Sequence, residues 1–482
     1  MSEERKIEEE EDEGNITSPE KAESEEYRNF KEEPGDDDGE NRNPKERNSM
    51  IYTALLVVKG MIGAGILNLP LIFKTFGILG GICLNLILSI IAIFVAYFLG
   101  RSKEITQRYS YAIYSKLSMG VTGSIIMKLS LVIMCSTLAA VQLIVFGDVF
   151  KGLSLIFCDI HAKILILIIG LILMPFMFQK DISGITKYAY FGIIGLAIFY
   201  GTTMILFFLK YSHNKIFFEK SMLYPNGTFK ELFQCVGGCY SAYTFHMAYF
   251  SYYLPLKPRN NKTMMKSVTI GTLTGSLIYA SFGIMFFLMY GNQISDSALK
   301  YLQNDLAEAN KNNQKGIVFL FVISFLSFVL NASISTMTHF YLFKSQLIGL
   351  IKFILKKLAE KKENEKKEIP LVDIKKKKKI STDEQSNVAK KNEELLSERK
   401  QFYITLGCYL YSFIMAIEFD KIIILDSFNG STVANYINLI APSIFYLYFS
   451  KRKKNYGEKA IALFNLIFGT SLILLFFILS FM

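Results

Sequence analysis

Apolar residues gather in runs of about 20, the length an α-helix needs to cross a hydrocarbon core of ~30 Å, and these runs recur from residue 51 to residue 481. They predict an all-α, polytopic membrane protein with eleven spans, at 51–73, 78–100, 121–150, 163–178, 188–209, 230–254, 266–290, 316–343, 402–418, 432–449 and 459–481. Polar stretches divide the rest into a tail over 1–50, spans one to eight over 51–343, a basic loop over 344–400 and spans nine to eleven over 401–482. The tail lacks the short apolar core of a cleavable signal peptide.

Two of the runs are interrupted where a simple anchor would carry unbroken Leu and Val. The first reads Lys59-Gly60-Met61-Ile62-Gly63-Ala64-Gly65 at its middle. Each glycine weakens a helix by roughly 1 kcal/mol, and a lysine at the bilayer centre costs about 2.5–3.5 kcal/mol on insertion scales, so both need a reason. The sixth reads Gly237-Gly238-Cys239-Tyr240-Ser241-Ala242-Tyr243-Thr244-Phe245-His246. Spans one and six open two five-span halves, and breaks in corresponding spans of two halves mark the midplane site of an inverted-repeat transporter. There, free N–H groups at a half-helix amino terminus suit a substrate carboxylate, and freed carbonyls suit a cation or amine. Gly60, Met61, Ile62, Gly63, Ala64 and Gly65, with Tyr240, Ser241, Tyr243 and Thr244, are therefore the candidate substrate-binding residues. The competing explanation is that the glycines only let helices pack closely.

Charge sets the orientation. With the amino terminus in the cytosol, the inner loops 101–119, 179–187, 255–266 and 450–459 carry 15 Lys and Arg, and the longer outer loops 151–163, 210–230, 291–315 and 419–431 carry 10. That bias places the basic loop 344–400 inside and the carboxyl terminus outside. Residues 1–50 hold 19 acidic and 8 basic residues, too polar to bury a core, and read as a disordered tail. Between Phe343 and Leu358 apolar residues alternate with lysines at helical spacing, which predicts an inner-surface amphipathic helix extending span eight. The run Lys375 to Lys379 either attracts anionic lipid at the inner leaflet or is a solvated linker. The net charge of +11 thus describes loop topology and implies no nucleic-acid partner. Without Trp, the 27 Tyr supply any interfacial aromatic belt.

The interrupted spans also carry a resemblance. Lys59 to Pro70, with its Gly63-Ala64-Gly65-Ile66-Leu67-Asn68-Leu69-Pro70 core, resembles the first-span signature of the amino acid/auxin permease family. Gly147-Asp148 at the end of span three, Phe245-His246 with Tyr253 and Leu256, and Gly430-Ser431-Thr432 through Ala441-Pro442-Ser443 are similar to further stretches of that family, in order, from about residue 50 to the end. The resemblance implies a LeuT-type fold of two inverted five-helix repeats plus an eleventh helix. It also implies amino acids or related amines as substrates, moved by alternating access.

Within that family the sodium-coupled branch has an asparagine where this chain has Lys59, which makes a sodium site with span eight; the proton-coupled branch has a lysine. Lys59 is then either a proton carrier or a static support for the break. The histidine that the proton-coupled branch places three residues earlier is Leu56 here, and Gln142 stands where the family often has tyrosine. His246 is either a proton-sensitive gate or a neutral core histidine. Ser333 and Thr336, with Asn331, Ser335 and His339, face span one as cation ligands or serve as interhelical hydrogen bonders.

Six scattered cysteines give no disulfide framework; Cys158 with Cys235 is the one conceivable pair, and Cys235 with Cys239 lacks the further ligands of a metal site. No phosphate loop, nucleophile elbow or zinc-protease motif occurs, so neither an enzyme nor a bound cofactor is expected. The expected function is secondary active amino acid transport, proton-coupled or sodium-independent, at the plasma membrane or a vacuolar or lysosomal membrane. A nutrient sensor of the same fold and a sodium-coupled symporter are the alternatives.

The topology has a direct test. Asn226-Gly227-Thr228 is in an outer loop and the sequon at Asn261 in an inner one. In a glycosylating host, Asn226→Gln should abolish the glycan mobility shift on a gel and Asn261→Gln should leave it; a shift lost only with Asn261 inverts the orientation.

Overall fold

The computed structural model describes residues 48–178, 189–213, 216, 218–295, 297–367, 397–419, 422–451 and 454–481. The acidic tail before Asn48, the loop 179–188 and the lysine run 375–379 lie outside the described residues. Apart from one backbone bridge between Asn48 and Leu256, the described residues form helices and their connections. Helices satisfy their own backbone groups, which is what a segment in hydrocarbon requires.

The first span is α1 (Met50–Met61), whose start is capped by the Ser49 hydroxyl accepting the Tyr52 N–H at 3.2 Å. A 3₁₀ turn, Ala64–Asn68, leads into α2 (Leu69–Thr106). Gly77, at φ 68°, divides α2 into the end of span one and the whole of span two. A Cβ at Gly81 would lie 2.7 Å from Cδ1 of Phe73, so the chain folds back tightly there. Helix α3 (Tyr111–Ser154) carries span three and bends at Gly120, also in the left-handed region, after an inner-side segment that the hydropathy pattern did not reveal. Helices α4 (Ala162–Met177) and α5 (Ala189–Ser212) follow.

Span six is divided into α6 (Phe229–Ala242), a 3₁₀ turn His246–Ala248 and the short α7 (Tyr249–Tyr253). Its outer start is a capping box: the Thr228 hydroxyl accepts the Glu231 N–H, and Glu231 accepts the Thr228 N–H at 2.8 Å. Span seven is α8 (Asn261–Tyr290). Helix α10 (Lys315–Lys367) continues span eight past Phe343 through the amphipathic stretch without a break. Between them α9 (Ala298–Lys311) packs at the ends of α3, α5 and α8, held by Gln303 Nε2 donating to the Asp148 carbonyl at 2.6 Å and by Asp305 accepting from Lys210 and Tyr290 at 2.8 and 2.5 Å.

Span nine is α11 (Glu398–Glu418), and span eleven is α15 (Tyr456–Phe481). Span ten corrects the sequence reading. The stretch 419–431, expected as an outer loop, is helical from Ile422: α12 (Ile422–Ser431) is the outer half of the span. The chain leaves helical geometry at Thr432 (φ −118°, ψ −93°), passes through α13 (Val433–Asn435) and a π-turn at Tyr436–Ile440, and ends in α14 (Ala441–Phe449). Hydropathy missed α12 because Asp426, Ser427, Asn429 and Ser431 are polar, yet all four are buried. Neighbouring segments meet some of their polar atoms: Ser427 Oγ donates to the Gln234 carbonyl at 2.8 Å, and Asn429 Oδ1 accepts from Thr137 Oγ1 at 2.6 Å, whereas the Asn429 amide nitrogen and the Ser431 hydroxyl are buried without a hydrogen-bond partner among the described residues.

Around these divided spans the long helices pack in a sheath. Helix α10 lies against α3 and α5, α8 against α1 and α2, and α12 against α6. Their outward faces carry Leu86, Ile87, Ile90, Leu273 and Leu277, the last 71 % exposed, as suits contact with lipid tails. Towards the inner side, Phe250, Phe445 and Phe449 surround Tyr114 edge-on at 5.6–5.8 Å between centroids. The one conceivable pair, Cys158 with Cys235, does not form: both are free, Cys158 exposed beyond α3 and Cys235 buried in α6. Cys235 and Cys239 likewise gather no third metal ligand among the described residues.

The tightest helix crossing is that of α6 with α12, where a Cβ on Gly430 would lie 1.8 Å from the Gly237 carbonyl oxygen. Gly430→Ala should push the two half-helices apart and lower the melting temperature in detergent by several degrees, corresponding to a loss of about 2 kcal/mol or more. An unchanged melting curve would show that this crossing is not held closed.

Candidate functional site

A helix that ends inside the bundle leaves carbonyls without their i+4 N–H partners. Helix α1 ends this way: the Gly63 N–H turns back to the Met61 carbonyl at 2.9 Å, and the half-helix beyond starts at Ala64 with its first N–H groups unmatched within the turn. Helix α6 ends similarly, with the Tyr243 N–H on the Tyr240 carbonyl at 3.0 Å and the Phe245 N–H on the Tyr243 carbonyl at 3.1 Å. The two breaks lie side by side. A Cβ on Gly65 would meet Cβ of Ala242 at 2.9 Å, and one on Gly60 would meet the Tyr252 hydroxyl at 2.5 Å and Cβ of Phe245 at 3.3 Å.

One side chain joins the breaks. The buried Tyr279 hydroxyl of α8 lies 2.5 Å from the Met61 carbonyl and 2.9 Å from the Ala242 carbonyl, and donates its proton into that pair. Tyr243 is tied outward to span two, donating to the backbone carbonyl of Asn85 at 3.1 Å and to its side-chain oxygen; Asn85 Nδ2 in turn donates to the Ser276 carbonyl at 2.7 Å. The sequence pattern did not single out Tyr279 or Asn85. An isolated tyrosine or asparagine in an apolar span carries no periodic signal, and only the crossing shows what it holds.

The candidate substrate residues of both spans therefore come together, though not all in the same role. Met61 packs its side chain on Gly275 of α8, so its part at the break is its carbonyl. Ile62 and Ala64 are buried. Gly65 fills a helix contact, as the packing explanation for the glycines had it, whereas Gly63 has only the Gln142 amide nitrogen nearby, at 3.9 Å from a Cβ built there. Gln142, buried on α3, thus presents a hydrogen-bonding group at the place where the resembled family has an aromatic one. Tyr240 keeps a buried hydroxyl without a hydrogen-bond partner, while Thr244 Oγ1 donates to the Ser241 carbonyl at 2.7 Å.

The candidate coupling residues divide between two neighbourhoods. Lys59 reaches towards α5 and α10: a Cβ on Gly192 would lie 3.1 Å from Lys59 Cε and 3.4 Å from Asn331 Oδ1. Asn331 Oδ1 and His339 Nδ1 are buried there without hydrogen-bond partners, and His339 lies within electrostatic reach of Lys59. Ser333 and Thr336 instead donate to carbonyls of their own helix, Val329 at 2.8 Å and Ala332 at 2.7 Å, leaving only lone pairs for a neighbour. His246 belongs elsewhere. Fully buried, it donates Nε2–H to the Ala92 carbonyl of span two at 2.8 Å and stacks on Phe245 at 4.1 Å, the setting of a core histidine.

A third break, in span ten, adds polar groups that the sequence reading assigned to a loop. Asp426, 2 % exposed, accepts from Asn68 Nδ2 at 2.6 Å, so the outer half of span ten is joined to the 3₁₀ turn of span one. The available signal was the run Ile422-Ile423-Ile424-Leu425 leading into Asn429-Gly430-Ser431-Thr432, small and polar residues after an apolar start, as in spans one and six.

Comparison with known proteins gives the family of the chain. The family model described as transmembrane amino acid transporter protein matches residues 46–482. Two curated proteins of Arabidopsis thaliana are similar: amino acid transporter AVT6E, 24% identical over 275 residues (54% of this chain, 56% of that protein), and amino acid transporter AVT6C, 21% identical over 313 residues (59% and 70%). The match thus spans little more than half the length of the first. Among solved structures, a mutant manganese transporter of Eremococcus coleocola aligns over 89% of this chain and 94% of its own, at 12% identity and a TM-score of 0.42.

The two glycines of the first break should separate on substitution. Gly65→Ala places a methyl group 2.9 Å from Ala242 Cβ, and Gly63→Ala places one 3.9 Å from a movable amide. Initial uptake rates in vesicles should therefore fall at least about tenfold for Gly65→Ala and stay within about threefold for Gly63→Ala, at equal protein incorporation. Equal rates for the two variants would count against a close crossing at Gly65.

Proposed function

Because the chain belongs to the transmembrane amino acid transporter protein family, we propose that it is a secondary active transporter that moves amino acids across its membrane by alternating access. The observation that carries this is the meeting of two broken spans at Tyr279. Their unmatched N–H groups at Ala64 and Gly65 suit a substrate α-carboxylate, and the carbonyl ends at Met61 and Ala242 suit its ammonium group, with no side-chain charge needed. Ser241, Thr244, Tyr240 and Gln142 supply hydrogen-bonding groups around them. The short α7 and the inner half α1 meet at Gly60 and Tyr252, so they suit movement as one inner gate.

Coupling follows from Lys59. Its side chain reaches between α5 and α10, where a Cβ on Gly192 would lie 3.1 Å from Lys59 Cε and 3.4 Å from Asn331 Oδ1, which supports reading the lysine as filling the space that a sodium ion would take against span eight. Two positive charges at contact distance repel strongly in a medium of low dielectric constant, so the lysine takes the place of sodium.

The decisive measurement is uptake of a panel of labelled amino acids by proteoliposomes, with sodium and proton gradients imposed separately. Uptake should persist when choline replaces sodium, and Lys59→Ala should lose most activity at unchanged incorporation. Steep sodium dependence of the unmodified protein would overturn the assignment of Lys59, and binding without flux for every amino acid would favour a sensor.

A further inference from the structure

The acid at the third break has no place in the scheme above. Asp426 is buried on α12, and its Oδ2 accepts from Asn68 of span one at 2.6 Å. One carboxyl thus joins α12 to the turn of span one, while α12 itself crosses α6 closely, a Cβ on Gly430 lying 2.9 Å from the Ser241 backbone nitrogen. The ionisable groups facing it are the Tyr279 hydroxyl from α8 and, beyond that, the thiol of Cys239 on α6, both neutral donors. From the 3₁₀ turn comes only the Asn68 amide, and no lysine, arginine or histidine of the described residues on α3, α13 or α15 pairs with it.

A carboxylate in such a place, held by one amide, is strongly disfavoured unless a proton or another cation meets it. The two conditions of the group also differ in what they hold together. As carboxylate, it accepts a charge-assisted hydrogen bond from Asn68; as acid, it brings a donor of its own to an amide that is already donating, and that bond weakens by roughly half. The bond between span one and span ten therefore depends on the proton. The Ser241 backbone at the sixth-span break lies against the same half-helix, so a shift of α12 is felt there.

We propose that Asp426 is the residue that takes up and releases the transported proton, and that its two states tighten and loosen the join between α12 of span ten and the turn of span one at Asn68. This rests on the reading of the chain as an amino acid transporter. Only an O–H bond is made and broken: the proton arrives from water on one side of the membrane and leaves to the other.

The test uses the full chain in proteoliposomes containing a pH-sensitive dye, with a tritiated mixture of the standard amino acids as probe. The unmodified protein should acidify the lumen as it takes up label. Asp426→Asn should lose acidification and accumulation down to the level of protein-free vesicles, yet keep exchange of label against the same amino acids loaded inside. Acidification that survives in Asp426→Asn overturns the proposal, whereas absence of exchange in the unmodified protein overturns the transporter reading itself.

A second measurement needs no variant. A carbodiimide adds to a protonated carboxyl, oxygen to carbon and proton to nitrogen, and the acyl group then shifts to nitrogen as a stable acylurea. Mass spectrometry of the unmodified protein should find this adduct on Asp426, several-fold more in mildly acidic than in mildly alkaline buffer. Equal labelling in the two buffers, or none, overturns the proposal whether or not Asp426→Asn folds.

Discussion

The arrangement depends on how two helices can stop inside an apolar bundle. Each end leaves carbonyls that hydrocarbon cannot satisfy, at a cost of several kcal/mol apiece. Tyr279 meets this cost at both ends together, its hydroxyl lying between the carbonyls of Met61 and Ala242. With the carbonyl ends fixed, the turn that opens the following half-helix is held against the end of α6, a Cβ on Gly65 lying 2.9 Å from that of Ala242. The proposed substrate site rests on that juxtaposition.

Other features of the bundle serve that crossing. The close approaches at Gly60, Gly65, Gly237 and Gly430 let the backbones of spans one, six and ten come within reach of one another. Buried polar side chains add hydrogen bonds between the helices around the breaks, as Asn85, Asn68, Thr137 and Ser427 do. Such bonds pass between helices, so movement of one half-helix must exchange partners on another. At one end of the bundle α9 is joined to span five by Lys210 with Asp305, and Lys74 of span one reaches the chain just before α9, donating to the Ile294 carbonyl at 2.6 Å. Before α1, Asn48 pairs its backbone with Pro255 and Lys257, so the entry to span one is tied to the end of span six.

Charge is used sparingly inside. Lys59 and Asp426 stand at different breaks and are not partners; each faces neutral polar groups of a neighbouring helix. Unpaired, each is sensitive to what cation or proton shares its space. His246, by contrast, has one ring nitrogen committed to a backbone carbonyl and stacks on Phe245, while its Nδ1 is buried without a hydrogen-bond partner among the described residues.

The sequence by itself determined the helical class, the long apolar spans and the two glycine breaks, because each is written in local composition: about 20 apolar residues for a span, small residues where a helix must stop. It also exposed Lys59, since one charge in an apolar run is conspicuous. It did not reveal α12, where four polar residues lower the hydropathy of a segment that is nevertheless buried, nor that Gly65 packs while Gly63 borders open space. Those were decided by tertiary structure. Whether a polar side chain is affordable in the interior depends on which donor or acceptor a distant helix brings to it: Asn68 and Asp426 lie 358 residues apart along the chain, and Tyr279 lies 218 from Met61 and 37 from Ala242.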